Sequence, residues 1–204
     1  LSIDSLREKY KSKLNNQSQE YEKYLETINR QIKDIEKLVN EFSNFARMPR
    51  PILKKINILN VIKKSLDFIK MTSKSSINLI TKDKEIFING DEDQLNRVFI
   101  NLIKNSQEAI DEISKKDNKF KGNIDIEIDN NNDYIVCRLT DNGSGITDPK
   151  KAMTPYFTTK KTGTGLGLPI VTKIINEHLG DFSIRNKKKG KGTIISISLP
   201  KLNA

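Results

Sequence analysis

Cysteine is almost absent from this chain. The one residue, Cys137, sits inside an apolar run, which excludes a disulfide framework and a thiolate metal site and fits a reducing interior. Long apolar runs are absent too. None approaches the length of a membrane span and no signal peptide is visible, so the piece reads as soluble. Aromatic residues make up only 6%. None interleaves with the one tight lysine cluster, Lys187 to Lys191, as a surface for stacking single strands requires. The formal charge of +10, from 36 basic and 26 acidic residues, therefore does not point to nucleic acid; the lysines are spread along the whole chain. The chain opens in mid-pattern at Leu1 without Met, which reads as a fragment of something longer.

What is present is periodic. Residues 1–48 are almost free of helix breakers. Ile3, Leu6, Tyr10 and Leu14 form a short stripe, and a polar patch at 15–18 follows. A longer stripe then runs through Tyr21, Tyr24 or Leu25, Ile28, Ile32, Ile35, Val39, Phe42 and Phe45 or Ala46. Steps of three and four flanked by charges predict a bundle seam. Two helices joined by a polar turn predict a hairpin that dimerises into a four-helix bundle. Pro49 and Pro51 end the second helix, so residues 1–48 read as a helical hairpin and 49–57 as a linker. Residues 58–204 read as a second domain.

In that domain the spacing predicts helices over 58–71, 91–113 and 166–179, with Asp91 as N-cap, Gln94 as its capping-box partner and Gly180 as a terminator. Strands are expected at 77–80, 86–88, 124–128, 134–139, 182–184 and 195–199, with a lysine-glycine hairpin at 187–192. Helices falling between strand pairs predict an α+β fold: a mixed, largely antiparallel sheet with helices layered on one face.

The chemistry concentrates between Thr140 and Gly167. Asp141 lies in a glycine turn with Gly143 and Gly145, and a loop of hydroxyl and basic residues follows (Thr158, Thr159, Lys160, Lys161, Thr162). A second cluster, Gly163, Gly165 and Gly167, opens a helix. Free N–H groups at the positive end of a helix dipole attract phosphate, so the stretch reads as a nucleotide site, with Asp141 for the base and the second cluster for the phosphates. Upstream, Asn101 and Asn105 lie one helical turn apart on one face, and a carboxamide oxygen is a ligand that Mg²⁺ accepts beside phosphate oxygens.

Taken together and in order, these segments resemble the sensor histidine kinases. Asn101-Leu-Ile-Lys-Asn105-Ser is similar to their N box, Asp141-Asn-Gly-Ser-Gly145 to the first glycine box, and Pro155-Tyr-Phe-Thr-Thr-Lys160 to the F box. Gly163-Thr-Gly-Leu-Gly167-Leu resembles the second glycine box, and Gly190-Lys-Gly192-Thr the turn before the last strand. Residues 52–200 resemble the ATP-binding catalytic domain. Residues 1–48, closing with EFSNFARMPRP, resemble the dimerisation and phosphotransfer hairpin, most like the nitrogen-regulation (NtrY-like) branch.

The resemblance implies an α/β sandwich of the Bergerat type preceded by an α-helical hairpin, with ATP and Mg²⁺ as cofactors. It implies that Asp141 accepts a hydrogen bond from the adenine amine while Gly143 and Gly145 let backbone approach the base. Asn105 would ligate Mg²⁺ and Asn101 support the phosphate side. Phe157, Thr158, Thr159 and Lys160 would belong to a mobile lid whose lysine reaches phosphate. Gly163, Thr164, Gly165, Leu166, Gly167 and Leu168 would surround the triphosphate, with Thr193 contributing from the last strand. The partners implied are a response-regulator receiver domain and a second copy of the chain. The location implied is cytoplasmic, with membrane anchoring only through regions N-terminal to this chain.

Two positions depart from the family pattern. Residues 1–48 hold no histidine, which places the phospho-accepting histidine upstream of Leu1; the lone His178 ends a helix and reads as packing or capping. Thr154 stands where relatives often carry an acidic residue, which bears on lid closure. Two other classes fit the nucleotide motifs, a GHKL-type ATPase and a dimeric scaffold that binds nucleotide without catalysis. An ATPase needs a carboxylate base where this chain has Asn101, and a carboxamide cannot take a proton from water.

Overall fold

In the computed structural model the structure describes residues 5, 18–70, 73, 75–131, 133–160 and 163–202. The chain divides into two units: residues 1–48 with Lys160–Thr164, and Pro49–Thr159 with Gly165–Ala204.

The first unit is built on one long helix, α1 (Ser18–Ala46). It carries the expected apolar stripe, yet only Leu25 among its described apolar residues is buried; Ile28, Ile32, Ile35, Val39 and Phe42 are exposed. The helix ends with Arg47 and Met48 donating back to Ser43 and Phe45, ahead of the two prolines. The expected preceding helix, with the stripe Ile3 to Leu14, lies outside the described residues.

The second unit begins within the stretch read as a linker, and part of that reading is corrected here. Lys54–Asn57 is a strand, β1, paired antiparallel with β3 (Phe87–Gly90) in a two-stranded sheet. Asn57 then starts α2 (Ile58–Lys70), its Oδ1 accepting Leu59 N–H at 3.1 Å. β2 (Ser76–Ile80) is separated from β3 by a short charged turn but does not pair with it. It joins the main sheet, parallel to β4 (Asn123–Asn130). β5 (Tyr134–Asp141), β6 (Asp181–Asn186) and β7 (Thr193–Pro200) complete that sheet in the order β2-β4-β5-β7-β6, with every pair other than β2–β4 antiparallel. This is the mixed, largely antiparallel sheet that the pattern predicts.

Alternation sorts the faces. Ile124, Ile126 and Ile128 of β4, Ile135, Cys137 and Leu139 of β5, and Ile195, Ile197 and Leu199 of β7 are all buried on one side. Burying an Ile or Leu side chain contributes about 1.5–3 kcal/mol, so a one-residue slip of register would expose the whole row. Over that face lie α3 (Glu92–Ser114) and α5 (Gly167–Glu177), with α2 packed on α3; a single turn, α4 (Pro149–Ala152), comes between α3 and α5 in the chain. The other face is polar, as in the exposed ion pair of Arg138 with Glu127 at 3.2 Å. Among the described residues no helix is long and apolar enough to cross a membrane.

The end of α5 refines one expectation. The left-handed residue is Leu179 (φ +58°), not Gly180. Leu179 N–H donates to Asn176 and Gly180 N–H to Ile175, the paired bonds of a Schellman turn. Gly180 is required by proximity: a Cβ there would lie 2.3 Å from the Ser198 carbonyl oxygen.

Candidate functional site

The period of two along β5 places Asp141 on the same inward face as Ile135, Cys137 and Leu139, so an apolar row ends in a carboxylate only 2% exposed. Its Oδ1 accepts Gly143 N–H at 2.9 Å and Thr193 N–H at 3.1 Å, and its Oδ2 accepts the Ser106 hydroxyl at 3.1 Å. A carboxylate has about four lone-pair positions. Three are occupied, and the open fourth fits a donor such as an exocyclic amine. Gly192 makes this packing possible: at φ +120°, a Cβ would stand 2.1 Å from the Asp141 carbonyl oxygen.

The turn after Asp141 is tied on both sides. Asn142 Oδ1 accepts Asn123 N–H at 2.8 Å, and Ser144 N–H donates to the Ala109 carbonyl of α3 at 3.0 Å. Beyond Gly145, Asn186 grips Ile146 twice, accepting its N–H at 2.8 Å and donating to its carbonyl at 2.7 Å. The Gly143–Gly145 loop is thus held between α3 and β6 before any ligand arrives.

α3 owes its placement to Asp91, whose Oδ1 accepts Asp93 and Gln94 N–H, both at 3.1 Å. Burial pushes the Asp91 carboxyl up, but N–H bonds from Ile52, Gln94 and Asp93 outweigh it, and its pKa is lowered. Asn101 and Asn105 are half-buried on this helix. Gly167, at the start of α5, neighbours Asn105: a Cβ there would make ordinary contact with its Nδ2, at 3.9 Å. α5 begins without a side-chain cap at Leu166, leaving the first N–H groups of the helix without a capping side chain. Among the described residues no three His, Cys, Asp or Glu side chains gather to hold a metal. A cation here would rely on a carboxamide oxygen and on ligand oxygens, the donor set Mg²⁺ accepts beside phosphate.

The F-box segment is latched to the second glycine cluster. Tyr156 N–H donates to the Gly165 carbonyl at 3.2 Å, and Tyr156 itself lies at φ +67°. Gly165, at φ +70°, could carry no side chain: a Cβ would stand 2.6–2.8 Å from backbone atoms of Tyr156 and Phe157. Thr158 and Thr159 follow on the exposed side. Lys160, Gly163 and Thr164 group instead with the α1 unit. Gly163 N–H donates to Lys160, and the Thr164 hydroxyl to Glu41. Lys161 and Thr162 lie outside the described residues.

The structure therefore brings together Asp141, Gly143 and Thr193; Asn105 and Gly167; and Phe157 and Gly165. It adds Ser106, which the sequence reading assigned no role although it directly follows Asn105. It also shows that Thr193 acts through its backbone N–H on Asp141.

A sequence-family profile described as histidine kinase-, DNA gyrase B- and HSP90-like ATPase matches residues 90–203. A protein of Rickettsia prowazekii (strain Madrid E) named as an NtrY-like sensor histidine kinase is 34% identical over 200 residues, 97% of this chain and 32% of the relative. The chain thus spans about a third of the length of such curated relatives. Among solved structures, the nucleotide-free catalytic domain of histidine kinase ThkA is similar at 25% identity and a TM-score of 0.63, covering 73% of this chain and 95% of that one. A complex of ThkA with the response regulator protein TrrA shares the fold at 20% identity and a TM-score of 0.68, covering 98% of this chain and 58% of that one.

Proposed function

Because the chain belongs to the histidine kinase-, DNA gyrase B- and HSP90-like ATPase family, we propose that it is the ATP-binding catalytic core of a sensor histidine kinase of the NtrY-like kind. The observation that carries the reading is the buried Asp141 carboxylate, with three donors in place and one acceptor position open. That arrangement suits the adenine amine and opposes guanine, which presents a carbonyl oxygen at the equivalent ring position.

In this reading Asn105 holds Mg²⁺ and Asn101 supports the phosphate side. The N–H groups of Gly167 and Leu168, at the positive end of the α5 dipole, receive phosphate oxygens. The bound cation supplies charge neutralisation at the triphosphate, and the protein's own task is positioning. Phe157, Thr158, Thr159 and Lys160 belong to the lid, and the second glycine cluster surrounds the triphosphate. The reaction is transfer of the γ-phosphoryl group: the bond from phosphorus to the β-phosphate oxygen breaks, a phosphorus–nitrogen bond to a histidine forms, and ADP leaves. The group then passes to a response-regulator aspartate. ThkA, a structural relative, is itself found with such a regulator. The carboxamide at Asn101, where the ATPase members of the family need a base, favours transfer over hydrolysis.

The exposed stripe of α1 supports a homodimer. An amphipathic helix gains most of its stability from packing its apolar face, and Ile35 is 62% and Val39 54% exposed in one copy.

The test is to incubate the full-length gene product with γ-labelled ATP. Label that survives alkali but not acid, and that Asn105→Ala removes, supports the proposal. Label released mainly as free phosphate, with no labelled protein, refutes it in favour of an ATPase.

A further inference from the structure

His178 has no part in the chemistry proposed above, yet it is only 3% exposed and both of its ring nitrogens are engaged. Nδ1 lies 2.8 Å from the Ile174 carbonyl oxygen of its own helix, and Nε2 lies 2.9 Å from the backbone nitrogen of Asp91 across the fold. A carbonyl only accepts and a backbone N–H only donates, so the ring must be neutral, with its proton on Nδ1 and its lone pair on Nε2. The Asp91 N–H is the group that the N3 side chain of a capping box normally satisfies. Gln94, the residue at that place, is turned away and donates to the Pro49 carbonyl at 3.0 Å. The box at the head of α3 is closed instead by a residue 87 positions along the chain.

The two helices so joined are those that face the nucleotide. α3 carries Asn101 and Asn105, and α5 begins at the second glycine cluster. They run antiparallel: the C-terminal end of α5 meets the N-terminal end of α3 through His178 and Asp91, and the N-terminal end of α5 lies beside the middle of α3, where Gly167 neighbours Asn105. The Schellman turn at Leu179 and the packing of Gly180 on Ser198 hold His178 itself in place. One residue of slip along a helix is 1.5 Å, a large part of the distance between a ligand oxygen and its cation.

We propose that His178 is a positioning residue. As the neutral Nδ1–H tautomer it closes the α3 capping box in trans and sets the axial register of Asn105 against the N-terminus of α5. The inference rests on the nucleotide site proposed above, but its first readouts do not need nucleotide.

Since His178 is the sole histidine of the chain, long-range ¹H–¹⁵N correlation reads its tautomer directly. The expected spectrum has a protonated Nδ1 and a bare Nε2. His178→Leu should shift the Asp91 amide and also the Asn105 side-chain and Gly167 amide resonances. It should weaken binding of a non-hydrolysable ATP analogue about tenfold, as expected for one lost hydrogen bond transmitted to the site. His178→Asn keeps a donor near Nδ1 and loses the distal acceptor, so it should resemble Leu. His178→Gln places an oxygen near Nε2 and should bind within about threefold of wild type. Ile128→Val, a loss in the sheet core, controls for destabilisation alone and should leave all three resonances in place.

The proposal is overturned by a protonated ring or an Nε2–H tautomer in the wild type. It is equally overturned if His178→Leu leaves Asn105 and Gly167 unmoved, or if Gln is as poor as Leu. Should the wild type bind no adenine nucleotide, the nucleotide reading fails by itself, and the resonance shifts alone decide the coupling.

Discussion

Two substitutions at Asp141 that remove the same charge should differ sharply in their effect on the unliganded protein. The native carboxylate accepts from two backbone N–H groups at Oδ1 and from the Ser106 hydroxyl at Oδ2, at 2.9–3.1 Å and almost out of water. Asp141→Asn can keep its carbonyl oxygen toward Gly143 and Thr193. Its NH₂ group then faces Ser106, whose hydroxyl rotates to accept. Three charge-assisted bonds become neutral ones, about half as strong, so the expected loss is about 2–4 kcal/mol in total. Asp141→Ala leaves all three donors buried without an acceptor, at about 1–3 kcal/mol each. That sum reaches the whole stability of a typical domain, about 5–15 kcal/mol. Ser106→Ala, which removes a single donor, should cost about 1 kcal/mol. Urea unfolding followed by circular dichroism should therefore order the midpoints as wild type, Ser106→Ala, Asp141→Asn and, far below, Asp141→Ala. In the Asp141→Ala background, where the Ser106 hydroxyl has already lost its acceptor, Ser106→Ala should cost less than it does alone. Equal midpoints for the Asn and Ala variants would refute the reasoning, because the carboxylate would then not be what satisfies those N–H groups.

Further outcomes follow from other parts of the molecule. Gly165→Ala should destabilise by more than the ~1–2 kcal/mol of a left-handed alanine, since its Cβ would press on Tyr156 and Phe157 backbone; thermal unfolding should show it, and an unchanged midpoint would dissolve the latch. Burial pushes the Cys137 thiol from 9.0 up to about 12. Between those values the unfolded chain loses a proton that the folded chain keeps. Stability should thus fall by up to about 1.4 kcal/mol per pH unit above pH 9; Cys137→Val should remove that component of the slope in alkaline unfolding titrations. Ile35→Lys, on the exposed face of α1, should convert a dimer to a monomer in sedimentation velocity, whereas Lys33→Glu should not.

Much of the second unit is written in short-range pattern. Alternation along 124–139 gave its strands, and the same period carries Asp141 inward, so a buried acid among glycines was readable as a binding group. The α3 stripe and its Asp91 cap were equally local. Pairing was not local. Lys54–Asn57 holds one apolar residue and reads as a linker, and only β3, some thirty residues on, makes it a strand. β2 and β3 look like neighbours in sequence, yet the better apolar match for β2 is β4. Ser106 was passed over because one hydroxyl on a helix carries no signal until Asp141 stands opposite it. The His178–Asp91 pair is invisible for the same reason, since Gln94 three residues after Asp91 satisfies the capping-box pattern by itself. Gly163 and Thr164 share a motif with Gly165 and Gly167, and Lys160 closes the motif before it, yet all three group with the α1 unit, a division that motif spacing does not express.

Calorimetric titration of the chain with a non-hydrolysable ATP analogue, with and without Mg²⁺ and against the matching GTP analogue, tests the central claim most directly. The account predicts binding of the adenine analogue that Mg²⁺ strengthens, no comparable binding of the guanine analogue, and loss of binding in Asp141→Asn while the fold persists. Equal affinity for both nucleotides, or full affinity in folded Asp141→Asn, would contradict it.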